Sequence, residues 1–367
     1  MDATQLISKL YLLNQPSTAP ERFIKAYKSL SPRLQGNSVP WEYVLPEKVL
    51  KAIQEQQNQY QQDMENLDFK YLTNVFIPTE KVLEYLQPAK INTTFYEQCI
   101  KQDTTNHILS FKPDVDGYAK VVEYDRVSNI TGRFKTVSGP MLLHLPKVYR
   151  SIVKSRFNNG RIYSLDYKSL EPRVLLAMNG TQPVIEQDIY ETIKRSLFNE
   201  HKDISRDVIK KIVLSELYGA GIDSLHQRLP NVENLETIVE QINEYFGLHK
   251  LYSCLLNEWK ANNHKFITNF YGRRVKTETT HTLINHYVQS TAVDVAMLGF
   301  KNILDYVNEI DKLDDVVPLF ILHDALILDV NENSFNLING LCKIGSIDIK
   351  QLENVKFYMS ADKDFAQ

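Results

Sequence analysis

The 367-residue chain is poor in cysteine, has no long apolar run and carries almost no net charge. Each shortage excludes something. Cys99, Cys254 and Cys342 are too scattered for zinc-ligand spacing or a disulfide framework, so a reducing compartment is expected. Nothing approaches the roughly 20 consecutive apolar residues of a membrane helix, so no membrane partner is expected. The opening MDATQLISKLYLLNQ has acidic Asp2 where a secretory signal has a basic start. The expected location is therefore the cytoplasm, or a host's cytoplasm if the chain is viral. No internal repeat or low-complexity linker is visible. A hydrophobic share of 43% and a charged share of 24% fit a globular protein of two or three packed subdomains.

The net charge of -3 hides a gradient. Residues 120–211 hold 17 Lys and Arg against 10 Asp and Glu, whereas residues 300–367 hold 6 against 12. A basic middle beside an acidic end suits a phosphate-tracking cleft with a solvated back face, and chance clustering would look the same.

Five prolines (Pro16, Pro20, Pro32, Pro40, Pro46) restrict the first 46 residues to short helices. From Glu47 to about Phe69 the chain has no Pro or Gly and reads as one long polar helix. Its glutamines fit a solvated face or a surface laid along a duplex. VYRSIVKSRF and RIYSLDY alternate like strands around an Asn158-Asn159-Gly160 turn. SLEPRVLLAM reads as a helix with Ser169 as N-cap and Pro172 in its first turn. Residues 184–261 and 283–308 are helix-rich. PLFILHDALILDV (318–330) reads as a hairpin with His323 and Asp324 at its tip.

Asp166 ends an apolar strand, and Asp324 interrupts an apolar hairpin between Leu322 and Ala325. A carboxylate in such a setting needs a partner, a hydrogen bond or a metal. Two of them on strand edges suit hard cations such as Mg2+, and two such ions suit phosphoryl transfer. Two unrelated turn aspartates would give the same letters. In RDVIKKIVLSELYGAG, Arg206, Lys210, Leu214 and Tyr218 recur every fourth residue and form a stripe about 18 Å long on one helix. Two cations at one end and an aromatic at the other match the phosphates and base of a nucleoside triphosphate. An amphipathic helix with a solvated basic edge has the same pattern. Gly219 and Gly221 should end it.

Taken together, these segments resemble family A DNA polymerases. The stripe resembles that family's Arg–Lys–Phe–Tyr-Gly fingers helix, and DYKSLEPR resembles DYSQIELR at Asp166, Tyr167, Glu171 and Arg173. ILHDALIL resembles VHDE at His323 and Asp324. TGRF resembles TGRLS at Thr131, Gly132 and Arg133. NHYVQSTAVD resembles NxxxQGTAAD at Asn285, Gln289, Thr291, Ala292 and Asp294, and YGRR (Tyr271 to Arg274) resembles the GRR element before it. Six elements in the family's order span residues 131–330, and the first 110 residues carry no match.

The resemblance implies an α+β fold: a right-hand polymerase with an antiparallel-sheet palm, helical fingers and a reduced helical thumb. The corresponding divisions are 1–119 thumb-like, 120–179 first palm segment, 180–284 fingers and 285–367 second palm segment. It implies a template-directed DNA polymerase that adds dNTPs to the 3′ end of a primer–template DNA. Asp166, Asp324 and the Tyr167 carbonyl would bind two Mg2+ ions, with Mn2+ able to substitute. Arg206 and Lys210 would clamp the triphosphate, Leu214 and Tyr218 would lie by the incoming nucleotide, and Glu171 would exclude a ribose 2′-hydroxyl. Arg133, Asn285 and Gln289 would reach the minor groove, Arg274 the template strand and His323 the primer terminus.

The sequence departs from the family at four places. Leu214 replaces an aromatic, Ala325 a glutamate, Lys168 a small residue and Ser290 a glycine. Lys168 would add charge near the triphosphate. Asp63-Met64-Glu65 has the letters of a proofreading exonuclease but falls in the polar helix, and only 165 residues precede Asp166. Proofreading, or processivity, would then come from a separate subunit. Two alternatives stay open: a single-subunit RNA polymerase, against which Glu171 speaks, and a catalytically silent nucleic-acid-binding subunit. A phage, a mobile element or a repair pathway would each suit such an enzyme.

Overall fold

The protein was analysed as a computed structural model, which describes residues 2–16, 19–30, 39, 41–179, 188–199, 204–349, 355–363 and 365. The fold is α+β, and the chain divides into two compact units, Met1–Phe69 and Lys70–Gln367.

In the first unit, helices cover Ala3–Leu10, Glu21–Leu30, Trp41–Val44 and Glu47–Glu65. Pro20 and Pro46 stand just before two of these starts, where a missing N–H costs nothing. Ala19, Val39, Trp41, Leu45 and Ile53 form its small core. The Glu47–Glu65 helix buries only Ile53. Gln59 donates to Asp63 (2.9 Å) and Gln61 to Glu65 (3.3 Å) on its exposed surface, so this segment is a solvated helix rather than a strand.

The second unit is organised by a four-stranded antiparallel sheet. Its order is Met359–Asp362, Arg161–Tyr167, Ala325–Val330 and Val316–Leu322. Ala325–Val330 is buried throughout, and Arg161–Tyr167 is buried apart from Arg161 at its start, half-buried Ser164 and Asp166. Leu322 pairs with Ala325, leaving His323 and Asp324 as a two-residue turn. Such tight hairpins require positive φ, and His323 supplies +56° despite its side chain. The register sets Asp166 opposite Ala325, and the Tyr167 N–H donates to the Asp324 carbonyl at 3.3 Å. Two aspartates about 160 positions apart in sequence thereby share one sheet end.

The 27-residue helix Leu283–Glu309 and the shorter Ile338–Gly345 pack beside the sheet. They meet Tyr167 at a point with no spare room. The Tyr167 hydroxyl donates to the Gly345 carbonyl at 2.5 Å, and a Cβ on Gly299 would lie 1.8 Å from that hydroxyl and 2.6 Å from that carbonyl. Glycine at 299 is what lets the strand end carrying Asp166 seat against the helix.

Two local expectations are corrected. VYRSIVKSRF is not a strand: Lys147–Ile152 is a 3-10 helix, and only Val153 bridges, to Ile91. Pro146 starts the turn by accepting from the Tyr149 N–H. Tyr149, Ile152 and Val153 turn inward at i, i+3 and i+4, while Val148 stands exposed. Ser169 does occupy the N-cap position of helix Leu170–Met178, but at φ +50° it makes no side-chain cap. No described helix is long and apolar enough to cross a membrane.

Gly299→Ala should therefore destabilise the protein by about 1–3 kcal/mol, since backbone as well as side chain must move. Gly340→Ala, on a helix with open space around it, should be neutral or slightly stabilising. Urea unfolding of both variants checks the contrast, and equal midpoints would refute the packing account.

Candidate active site

A cleft of about 440 Å3 opens over the end of the sheet. Ten of the thirteen residues expected at a site line it: Arg133, Asp166, Tyr167, Glu171, Lys210, Leu214, Tyr218, Gln289, His323 and Asp324. They come from the sheet end, from the start of helix Leu170–Met178, from helices Arg206–Leu217 and Leu283–Glu309, and from the loop at Arg133.

The floor of the cleft is acidic. Asp166 opens onto it, yet protein walls most of its other sides. Burial, then the Asp324 charge and a hydrogen bond shared with it, push the Asp166 carboxyl up to about 7, with Asp362 adding to the effect. Asp324 is also raised, chiefly by burial, with Glu171 adding and Arg133 opposing. Two carboxylates this close share a proton near neutrality. Hard oxygen donors held together at the cost of mutual repulsion are a donor set that a divalent cation would relieve. Among the described residues no third His, Cys, Asp or Glu completes a group of three. The site therefore fits an ion such as Mg2+, which takes one or two carboxylates and fills the rest of its shell with water and phosphate oxygens.

One wall is the stripe on helix Arg206–Leu217, which Ser205 caps by accepting from the Val208 N–H. Tyr218 closes the helix, and Gly219 at φ +67° turns the chain away. Lys210, Leu214 and Tyr218 face the cleft. The Tyr218 hydroxyl donates to one Glu171 oxygen (3.1 Å), while Arg133 donates to the other. Glu171 is thus pinned between the helix end and the TGR loop, in a fixed position at the cleft mouth. His323 lies beside the carboxylates, and burial, followed by the charges of Arg133, Arg150 and His144, keeps its imidazole below the usual range.

Three expected residues lie elsewhere. Arg206 is held by Asp188 and Asp207, outside the cleft lining. Arg274 sits on the small hairpin Phe266–Thr268/Arg274–Lys276, its guanidinium 4.8 Å from the Phe266 ring centre. Asn285 lies one helical turn before Gln289, and its buried Oδ1 has no hydrogen-bond partner among the described residues. Lys168 does not line the cleft either; its charge lies near Cys342, on helix Ile338–Gly345.

Sequence reasoning missed two features. Tyr190 lines the cleft with Arg206 and Lys210 at 5.4 and 6.0 Å from its ring centre. A lone tyrosine in an amphipathic helix gives no signal of this; only the Asp188 N-cap before it was readable. The second is a buried polar knot. Asp294, fully buried, accepts from Asn269 (2.7 Å) and Tyr71 (3.1 Å), with the Arg273 and Arg126 charges nearby. Arg273 also donates to the Arg126 and Asn129 carbonyls at 3.3 and 3.4 Å, bracing the loop that presents Arg133. The TGR, GRR and QSTAVD elements meet in this one network.

The chain belongs to DNA polymerase family A, whose sequence profile matches residues 41–346. Its fold is similar to that of the POL domain of Pol1 from M. smegmatis, solved in complex with DNA primer-template and dNTP. The TM-score is 0.64, with 12% sequence identity over 98% of this chain and 81% of that one. At that identity the likeness speaks of fold. No curated protein matches the sequence.

The carboxylate pair has a measurable cost. With Asp166 titrating near 7, well above its ordinary value, the folded metal-free protein keeps a proton that the unfolded chain loses between about pH 4 and 7. Stability of the metal-free protein should fall as pH rises through that window. Asp324→Asn removes the repulsion, so its melting temperature should exceed wild type at pH 8 and converge with it near pH 4. Added Mg2+ should raise wild type more than the variant. Calorimetry with and without chelator reads both effects, and parallel curves would refute the coupling.

Proposed function

We propose that the chain is a template-directed DNA polymerase that extends a primer 3′ end with dNTPs on a DNA template. The observation that carries this reading is a shared cleft: Asp166 and Asp324 line the same cavity as Lys210 and Tyr218, which one helix and its C-cap present. An acidic floor suits cation-bridged phosphates, and a cationic wall suits the far end of a triphosphate.

In this reading residues 120–179 and 285–367 form the palm, 180–284 the fingers and 1–119 a thumb-like region. The central sheet, built from strands before and after the helical stretch, supports that division. Two Mg2+ ions at Asp166, Asp324 and the Tyr167 carbonyl, with Mn2+ as substitute, would supply Lewis-acid activation of the primer hydroxyl and charge neutralisation on the leaving pyrophosphate. The protein's own share is positioning and electrostatics. Lys210 and Arg206 hold the triphosphate, Leu214 and Tyr218 flank the nucleotide, and His323 steadies the primer terminus. In this reading Arg133, Gln289 and Asn285 would reach minor-groove acceptors and Arg274 the template strand; that Arg133 and Gln289 line the cleft supports it. Glu171 would bar a 2′-hydroxyl, and its bonds to Arg133 and Tyr218 support that role by fixing its position.

The Asp63 and Glu65 pair is not assigned to proofreading, because both lie on a solvated helix and each accepts from a glutamine four residues earlier. Proofreading would come from a separate polypeptide, as would a processivity factor.

Extension of a labelled primer with Mg2+, comparing dNTPs with rNTPs, tests the reading. Extension by dNTPs alone is expected. Extension by rNTPs would turn it to an RNA polymerase, and tight DNA binding without extension to a silent subunit. Asp166→Ala and Asp324→Ala should each lower extension by about a thousandfold or more while leaving salt-sensitive primer–template binding in place. Near-normal rates in either would remove the metal assignment. Glu171→Ala should raise ribonucleotide use, and an unchanged dNTP-to-rNTP ratio would remove the gate.

A further inference from the structure

Arg206 is held by two carboxylates where it stands. Its Nε and Nη2 donate to Oδ2 of Asp188 at 2.9 and 2.5 Å, and its Nη1 donates to Oδ1 of Asp207 at 3.2 Å. Three of its five guanidinium N–H donors are taken by carboxylates, so a phosphate has to compete for the Nε–Nη2 edge. Lys210, one turn along the same helix, lines the cleft, whereas Arg206 does not. The two cations flank the Tyr190 ring, which itself lines the cleft.

Asp188 divides its two oxygens between two tasks. Oδ1 caps helix Ile189–Leu197 by accepting from the Tyr190 and Glu191 N–H groups at 2.9 and 3.2 Å. Among the described residues, Oδ2 accepts from Arg206. Burial by itself would raise the Asp188 carboxyl, but the Arg206 hydrogen bonds and the two N–H groups more than reverse this and keep it ionised. A carboxylate offering a fixed anionic oxygen to an arginine fork imitates a phosphate oxygen. The side chains of Arg206 and Asp188 are 37% and 35% exposed, so the pair is weak enough to exchange for a more highly charged ligand.

The geometry points to Asp188 as a positioning residue that holds Arg206 outside the nucleotide cleft and competes with the triphosphate for it. This rests on the reading of Arg206 as a triphosphate ligand. Binding a nucleotide then means replacing Asp188 Oδ2 by phosphate oxygens at the arginine, so Asp188 sets nucleotide affinity without touching the nucleotide. Its capping oxygen makes the role separable, because asparagine keeps an Oδ1 acceptor for the helix and places an amide N–H2 where Oδ2 was, which cannot accept from Arg206.

Asp188→Asn should lower the KM for dNTPs by about two- to fivefold, the range expected on removing a half-exposed ion pair, with kcat within about twofold. Inorganic tripolyphosphate should inhibit the variant more tightly in the same proportion. Asp188→Ser, which can cap but is too short to reach Arg206, should behave alike, and both should melt with wild type. In an Arg206→Ala background the gain should vanish. An unchanged KM, a raised KM with reduced kcat, or a gain that survives without Arg206 would each overturn the proposal. If wild type extends no primer, the polymerase reading fails on its own account. Calorimetric binding of tripolyphosphate to wild type and Asp188→Asn then still decides: tighter binding by the variant supports the latch, and equal binding refutes it.

Discussion

Two carboxylates that repel each other at the end of a buried sheet are the constraint on which the second unit is built. Neither would be placed there for stability, since a folded chain gains nothing from confining like charges where water cannot fully screen them. Their closeness is enforced from below and from the side. The hairpin turn at His323 fixes Asp324, and strand pairing fixes Asp166 against it. The Tyr167 hydroxyl, clamped between Gly299 and Gly345, keeps that strand end from sliding. A left-handed histidine at +56° and a glycine with no room for a methyl are local costs borne to hold this geometry.

The same constraint gives Ala325 a physical sense. It pairs directly with Asp166, is 4% exposed and belongs to the apolar cluster of Phe320 and Ile327. A glutamate at 325 would bring a third carboxylate beside a pair in which one member already titrates near 7. Leaving that position apolar lowers the electrostatic burden of the metal-free state. It also leaves Asp166 and Asp324 as the carboxylates available to a cation here.

How much of this was legible in the sequence depended on range. Periodicity and caps are local, so the Arg161–Tyr167 strand, the hairpin around Asp324 and the Arg206 helix could be read directly. Alternation misled at 147–152, because a segment starting at a proline and turning inward every three or four residues looks alternating over so short a run. Ser169 had the right identity for a cap, but its left-handed backbone makes no side-chain cap. Arg273 and Arg274 are indistinguishable as letters. Only the fold shows that the first braces the Arg133 loop while the second lies over Phe266.

Arg206 marks the limit of motif reasoning most clearly. Spacing placed it on the same stripe as Lys210, Leu214 and Tyr218, and the helix keeps that spacing. Which way a long charged side chain turns is decided by the nearest competing charge, and that charge sits on another helix start, 18 positions away. A pattern of identities encodes which groups share a face; it does not encode which of several anions an arginine prefers before its ligand arrives. If Arg206 is a triphosphate ligand, as proposed, that unoccupied-state preference is itself part of the binding equilibrium. In that proposed reading, affinity for a nucleotide is a difference between two sets of arginine contacts, and only one of those sets is visible in the motif.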